Sequence, residues 1–129
     1  MTIRLLHVDD DPDIRAIVGM ALARDPLLEP VATGSGTEAL SLVADGLCPD
    51  AALLDATLPD MDGTTLRVRL HAVMPPDRLP VIYMTARARP HELAALRAPG
   101  VLGAIVKPFD PLRLPLDIHA LLDQRILTR

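Results

Sequence analysis

Five short apolar runs, at residues 3–8, 30–32, 51–54, 81–84 and 104–106, alternate along the chain with stretches whose apolar positions recur at helical spacing. Each run is closed by turn or acidic residues, which is the pattern of βα units feeding a parallel sheet. Between the first two runs, Ile14, Ile17, Val18, Ala21 and Leu22 fall at i, i+3, i+4, i+7 and i+8 and predict an amphipathic helix with one apolar stripe. Further helices are expected over residues 37–45, 64–72 and 90–98, and a last one carries Leu114, Ile118, Leu121 and Leu122. Pro115 predicts a kink or a late start in that last helix, because a proline beyond the first turn removes a hydrogen bond and crowds the preceding turn.

Composition narrows the picture. The chain has 129 residues, half of them apolar, enough for one domain to bury a core without disulfides or a structural metal. The pattern shows no repeat, linker or low-complexity tract, so the expectation is a single domain over residues 1–129 with no effector domain. A formal net charge of −4 gives no electrostatic reason to expect direct binding of nucleic acid. Cys48 is the only cysteine and has no internal disulfide partner, and no apolar span approaches membrane length. A cytoplasmic location without membrane contact is expected. Tyr83 and Phe109 are the only aromatic residues, so the core must be aliphatic.

The candidate chemistry stands where the strands end. Asp9, Asp10 and Asp11 follow the first run, Asp55 the third, Thr85 the fourth and Lys107 the fifth. In an open parallel sheet these carboxyl ends share one edge, and ligands bind there where strand order reverses. Asp10 and Asp55 are hard oxygen ligands of the kind Mg²⁺ takes, and three converging carboxylates repel one another until a cation relieves them. Asp55 also has the chemistry of a nucleophile that forms an acyl phosphate. Lys107 and Thr85 would then neutralise and hydrogen-bond the transferring group. Lys107 is the sole lysine among 13 cationic residues, at a place where a compact charge suits better than a planar fork. Asp11 and Asp13 read differently, as caps and first-turn acids of a helix with Pro12 at its start. His7 reads as a packed strand residue, and His71, His91 and His119 lack metal-ligand spacing.

The segments LLHVDDDPDIRAIV, LLDATLPDMDG, VIYMTARA and GAIVKPFDP resemble the four signature blocks of two-component receiver domains, over roughly residues 2–127. The intervals agree, with 30 residues from Asp55 to Thr85 and 22 from Thr85 to Lys107. The resemblance implies a flavodoxin-like, doubly wound α/β fold with five parallel strands in the order 2-1-3-4-5 and five helices. It implies Mg²⁺ as cofactor, held by Asp9, Asp10, Asp55 and the backbone carbonyl of Thr57, with Asp10 the more direct ligand of the acidic pair. It makes Asp55 the phosphoacceptor, with Thr85 and Lys107 contacting the phosphoryl group and a cis bond between Lys107 and Pro108. The donor would be a histidine kinase or histidine phosphotransfer protein. Output would pass to a downstream protein by conformational change, with no turnover of a separate substrate.

Three departures stand out. Ala104 occupies the place, three residues before the lysine, where many receivers carry Tyr or Phe. The charged face of receivers that dimerise on DNA is not evident in residues 90–123. Thr57 and Arg87 occupy the positions that modulate dephosphorylation in the family. Two other functions share part of the residue set. An aspartyl-nucleophile phosphohydrolase would need a second Asp where Thr57 stands, and a phosphorylation-independent receiver-like module would have lost one of the acidic pair, the acceptor or the lysine.

Overall fold

Alternate positions along the strands face two helical layers, as a computed structural model describing residues 2–86 and 89–127 makes plain. The strands are β1 (Ile3–Val8), β2 (Leu28–Thr33), β3 (Ala51–Asp55), β4 (Val81–Thr85) and β5 (Val101–Val106). The helices are α1 (Pro12–Ala23), α2 (Gly36–Ala44), α3 (Gly63–Val73), α4 (Pro90–Ala95) and α5 (Leu114–Leu127). All strand pairs are parallel, in the order β2-β1-β3-β4-β5. Leu5, Leu53, Ile82 and Met84 pack in one cluster with Val18 and Leu22 of α1 and Leu114 and Ile118 of α5. Their neighbours Leu6, Leu54, Val81 and Tyr83 pack in a second cluster with Ala39 and Val43 of α2 and Leu66 and Leu70 of α3. Each fully buried leucine contributes roughly 2 kcal/mol. Both faces of β3 and β4 are covered, so every residue of these strands is buried, including the terminal Asp55 and Thr85.

The differences from the sequence reading have local causes. β2 begins at Leu28 and tolerates Pro30 because it is an edge strand, bonded only to β1. β5 begins at Val101, and its register shifts opposite Val81 and Ile82, where Gly103 lies close under Leu121 of α5. A glycine and a register shift inside a strand hide it from a simple apolar count. α4 stops at Ala95 instead of running to residue 98. Leu96 and Arg97 donate to Leu93 and Ala94, three residues back, tightening the chain into a turn before Pro99. The expectation for Pro115 is corrected. α5 starts at Leu114, so Pro115 sits in the first turn, where no intrahelical partner for an N–H exists, and the start is not delayed.

His7 lies in the middle of β1, between Ala32 and Leu53 of the flanking strands. It is 1 % exposed, and its Nε2 has no hydrogen-bond partner among the described residues. Burial lowers its pKa to about 4, the Asp9 charge opposing this and the Lys107 and Arg15 charges adding to it. Between that value and about 6.5 the unfolded chain binds a proton that the folded one does not. Stability is therefore complete above the upper limit and declines as acid approaches the lower one, by roughly 3 kcal/mol. Chemical denaturation across this range is expected to show a shallower decline for His7→Leu than for the wild type. Parallel curves would rule out His7 as the titrating group.

Candidate functional site

The parallel sheet carries the ends of β1, β3, β4 and β5 to one edge, and the chain reverses direction across the sheet between β1 and β3. Asp9 directly follows β1, Asp55 ends β3, Thr85 ends β4 and Lys107 directly follows β5. Lys107 Nζ donates to Asp9 Oδ2 at 3.0 Å and to Asp55 Oδ2 at 3.2 Å. Ligand oxygens of Asp9, Asp10 and Asp55 lie within 4.8 Å of one another. Asp9 is fully buried, Asp55 nearly so, and Asp10 is exposed on the solvent side of the cluster.

Backbone groups hold this arrangement. Asp9 Oδ1 accepts from Asp11 N at 3.0 Å, and Asp55 Oδ1 accepts from Thr57 N at 3.1 Å. Lys107 N donates to Thr85 O at 2.7 Å, which ties the end of β5 to that of β4 just before the cis Lys107–Pro108 bond. Thr85 is buried, while Thr57 is exposed in the loop after β3. Asp11 caps α1, its carboxylate accepting from Asp13 N at 2.8 Å and Ile14 N at 3.4 Å, with Pro12 opening the helix. Gly63 starts α3 against the site, since a Cβ there would sit 2.7 Å from Asp55 O and 2.9 Å from Ala56 Cα. His71 Nε2 meets Leu79 O and His119 Nε2 meets Asp25 Oδ2, both away from the cluster. Arg87 lies outside the described residues.

The electrostatics follow from burial against pairing. Burial raises the Asp55 carboxyl above its ordinary value, with the Asp9 charge adding to it, and the Thr57 N–H and Lys107 only partly offset the rise. Burial works against the Lys107 charge, but hydrogen bonds and attraction from Asp9 and Asp55 outweigh it and raise the ammonium pKa. The site thus holds one cation firmly charged between two buried acids.

Three contributors escaped the sequence reading. Arg15 of α1 donates to Asp9 O at 2.7 Å, a contact that its place on the helix surface does not announce. Asp60 reaches across to the start of α2. Tyr83, opposite Ala104 in the β4–β5 register, is fully buried, and its hydroxyl accepts from Arg67 Nε at 2.9 Å. The one signal for it was a lone tyrosine in an aliphatic strand.

The family description "response regulator receiver domain" matches residues 5–119. The chain belongs to the response regulator receiver domains. It is 36 % identical over 107 residues to a protein-glutamate methylesterase/protein-glutamine glutaminase of Cereibacter sphaeroides, covering 81 % of this chain and 28 % of that protein. The receiver thus spans under a third of that relative's length. Among solved structures, the chemotaxis response regulator CheY4 of Vibrio cholerae superposes with a TM-score of 0.83 at 26 % identity, covering 94 % of this chain and 99 % of that one. A CheY-like receiver protein of Methanospirillum hungatei gives a TM-score of 0.83 at 27 % identity over all of both chains. The receiver fold and its place in two-component signalling are therefore established for this chain, and the sheet order is the one the family resemblance implied.

Removing the cation tests the balance of charges in this receiver. In Lys107→Met two buried carboxylates lose their counter-charge, and breaking such a pair costs on the order of 3 kcal/mol. Thermal denaturation should show that loss at neutral pH and its partial recovery under mild acid, as the carboxylates protonate. A variant as stable as the wild type at neutral pH would mean that the pairing contributes nothing to the fold.

Proposed function

We propose that this receiver accepts a phosphoryl group on Asp55 from a phosphohistidine donor with the help of Mg²⁺, and relays that state by changing shape. The observation that carries the reading is the bridge from Lys107 to both Asp9 and Asp55, with the Asp10 carboxylate at the open side of the same cluster. The donor set fits a hard divalent cation. It offers three carboxylates within reach of one another, and Asp10 makes no hydrogen bond or ion pair among the described residues. Asp9, Asp10, Asp55 and the Thr57 carbonyl would hold the ion, which would supply positive charge to phosphoryl oxygens when bound.

The chain's own residues divide the work of transfer. An Asp55 carboxylate oxygen attacks phosphorus, forming an O–P bond as the P–N bond to the donor imidazole breaks and the electron pair leaves with that nitrogen. In the free protein Lys107 holds Asp55 Oδ2. As negative charge passes from the carboxylate to the phosphoryl oxygens, the ammonium follows it, and the Thr85 hydroxyl donates to another oxygen. A histidine kinase or histidine phosphotransfer protein suits such a donor, and the output is contact with a downstream protein. The reading also places the protein in the cytoplasm as one receiver over residues 1–129, with no nucleic acid as direct ligand. No helix among the described residues is long and apolar enough to cross a membrane.

Incubation with a small-molecule phosphodonor and Mg²⁺ should label the wild type and leave Asp55→Asn unlabelled. Label retained by that variant would move the acceptor elsewhere. Mg²⁺ at about 100 times its Kd should stabilise the wild type by roughly 2.7 kcal/mol through binding to the folded state. In Asp10→Ala most of the corresponding rise in Tm should vanish. An undiminished rise would refute Asp10 as a ligand.

A further inference from the structure

The loop between β3 and α3 carries Thr57, and its two ends are secured differently. At the inner end, Thr57 N donates to Asp55 Oδ1, Gly63 N donates to Ala56 O at 2.9 Å, and an isolated antiparallel bridge joins Thr57 to Asp62. The outer end is fastened to a different element. Asp60 accepts from Gly36 N at 3.3 Å and Thr37 N at 2.9 Å, and from the Thr37 hydroxyl at 2.9 Å, across 23 to 24 residues of sequence. Beside it, Met61 lies flat on Gly36, where a Cβ would come within 2.8 Å of Sδ.

Capping alone does not account for Asp60. α2 already has its own cap, since Ser35 Oγ accepts from Glu38 N at 3.0 Å and Glu38 Oε2 accepts from Gly34 N at 3.0 Å. That local pair serves the helix without touching the loop. The Asp60 carboxylate gains from the positive end of α2, and this attraction holds down the tip of a loop that is otherwise exposed at Thr57, Pro59 and Asp60. Between the inner and outer fastenings lie Thr57, Leu58 and Pro59, with the Leu58 side chain buried in the core on the α2–α3 side, so Asp60 and Leu58 together limit the direction of the Thr57 carbonyl.

We infer that Asp60 is a positioning residue for the phosphoacceptor loop, fixing it to the N-terminus of α2 so that the Thr57 carbonyl is presented to the cation beside Asp55. The inference rests on the reading of Asp55 and Thr57 as parts of a Mg²⁺ site. Groups that orient a ligand without touching the metal commonly change affinity by on the order of 10-fold. Such an effect differs from simple stabilisation of α2, which the cap at Ser35 also provides.

The test compares Mg²⁺ affinity, measured by calorimetry on the unphosphorylated full chain, in the wild type, Asp60→Ala, Ser35→Ala and Asp10→Ala. Asp60→Ala should weaken Mg²⁺ binding by on the order of 10-fold. Ser35→Ala, which removes a cap from the same helix, should lower Tm while leaving the Mg²⁺ affinity within about 2-fold of wild type, as its own capping role implies. Equal weakening in both variants would make Asp60 only a second cap, and an unchanged affinity in Asp60→Ala would overturn the inference outright. If the wild type bound no Mg²⁺, the site reading itself would fall. Binding by the wild type that Asp10→Ala loses keeps that reading, whatever Asp60 does. Should Asp60→Ala not fold, Asp60→Asn, which keeps an acceptor and loses the charge, is read on the same scale.

Discussion

Two carboxylates buried at the edge of an aliphatic sheet need a cation, and the fold supplies it from the far side of the sheet. Asp9 is 0 % exposed and Asp55 8 %, and solvent cannot screen them as it screens surface acids. Lys107 reaches both, although 98 residues separate it from Asp9 and 52 from Asp55. The bridge exists only if β1, β3 and β5 all end at one edge, which depends on the parallel order of the sheet and on the Lys107 N–H bonded to Thr85 O. The closing of the sheet and the assembly of the site are thus one event. Arg15 adds a second basic side chain beside Asp9, but it bonds the carbonyl and leaves the carboxylate to Lys107.

What the sequence revealed follows from which forces act locally. β1 and α1 were legible because apolar period, Pro12 and the Asp11 cap agree within a few residues of one another. The acids, Thr85 and Lys107 were legible because strand ends are punctuated. Interactions that join distant segments were not. Nothing near Asp60 announces that its partner is Thr37, and nothing near Tyr83 announces Arg67. The start of β5 falls outside its apolar run for a related reason, while the early end of α4 comes from the local turn before Pro99. Gly103 lies in a strand whose register with β4 shifts and whose backbone passes close under Leu121 of α5.

Ala104 is the residue whose consequence the fold makes concrete. Its place in β5 is opposite Tyr83 of β4, and both join the cluster on the α2–α3 side of the sheet. The aromatic ring on this side of the sheet, that of Tyr83, is therefore one strand further in, fully buried and held by Arg67. A ring so enclosed and hydrogen-bonded can turn only by displacing its neighbours, because interiors are close-packed. It also stands at the start of α3, where Tyr83 Cε1 is 3.1 Å from the position a Gly63 Cβ would take.

Two routes could carry a change at the strand ends outward, and their mechanical properties differ. Through Tyr83 the route is rigid, a fixed ring packed against the first turn of α3. Past Ala104 it is compliant, because a groove of about 510 Å³ opens there between α4 and β5, lined by Leu93, Leu96, Arg97, Ala104 and Val106. α4 is the shortest helix, with six residues, and its N-cap position makes no side-chain cap bond. At its C-cap, partly buried Leu96 packs against the core cluster on this side of the sheet. Segments with few buried contacts open and shift at the lowest free energy. A displacement at the end of β4 would therefore meet a groove on the α4–β5 side and close packing on the α3 side, and no aromatic ring at residue 104 would have to turn first.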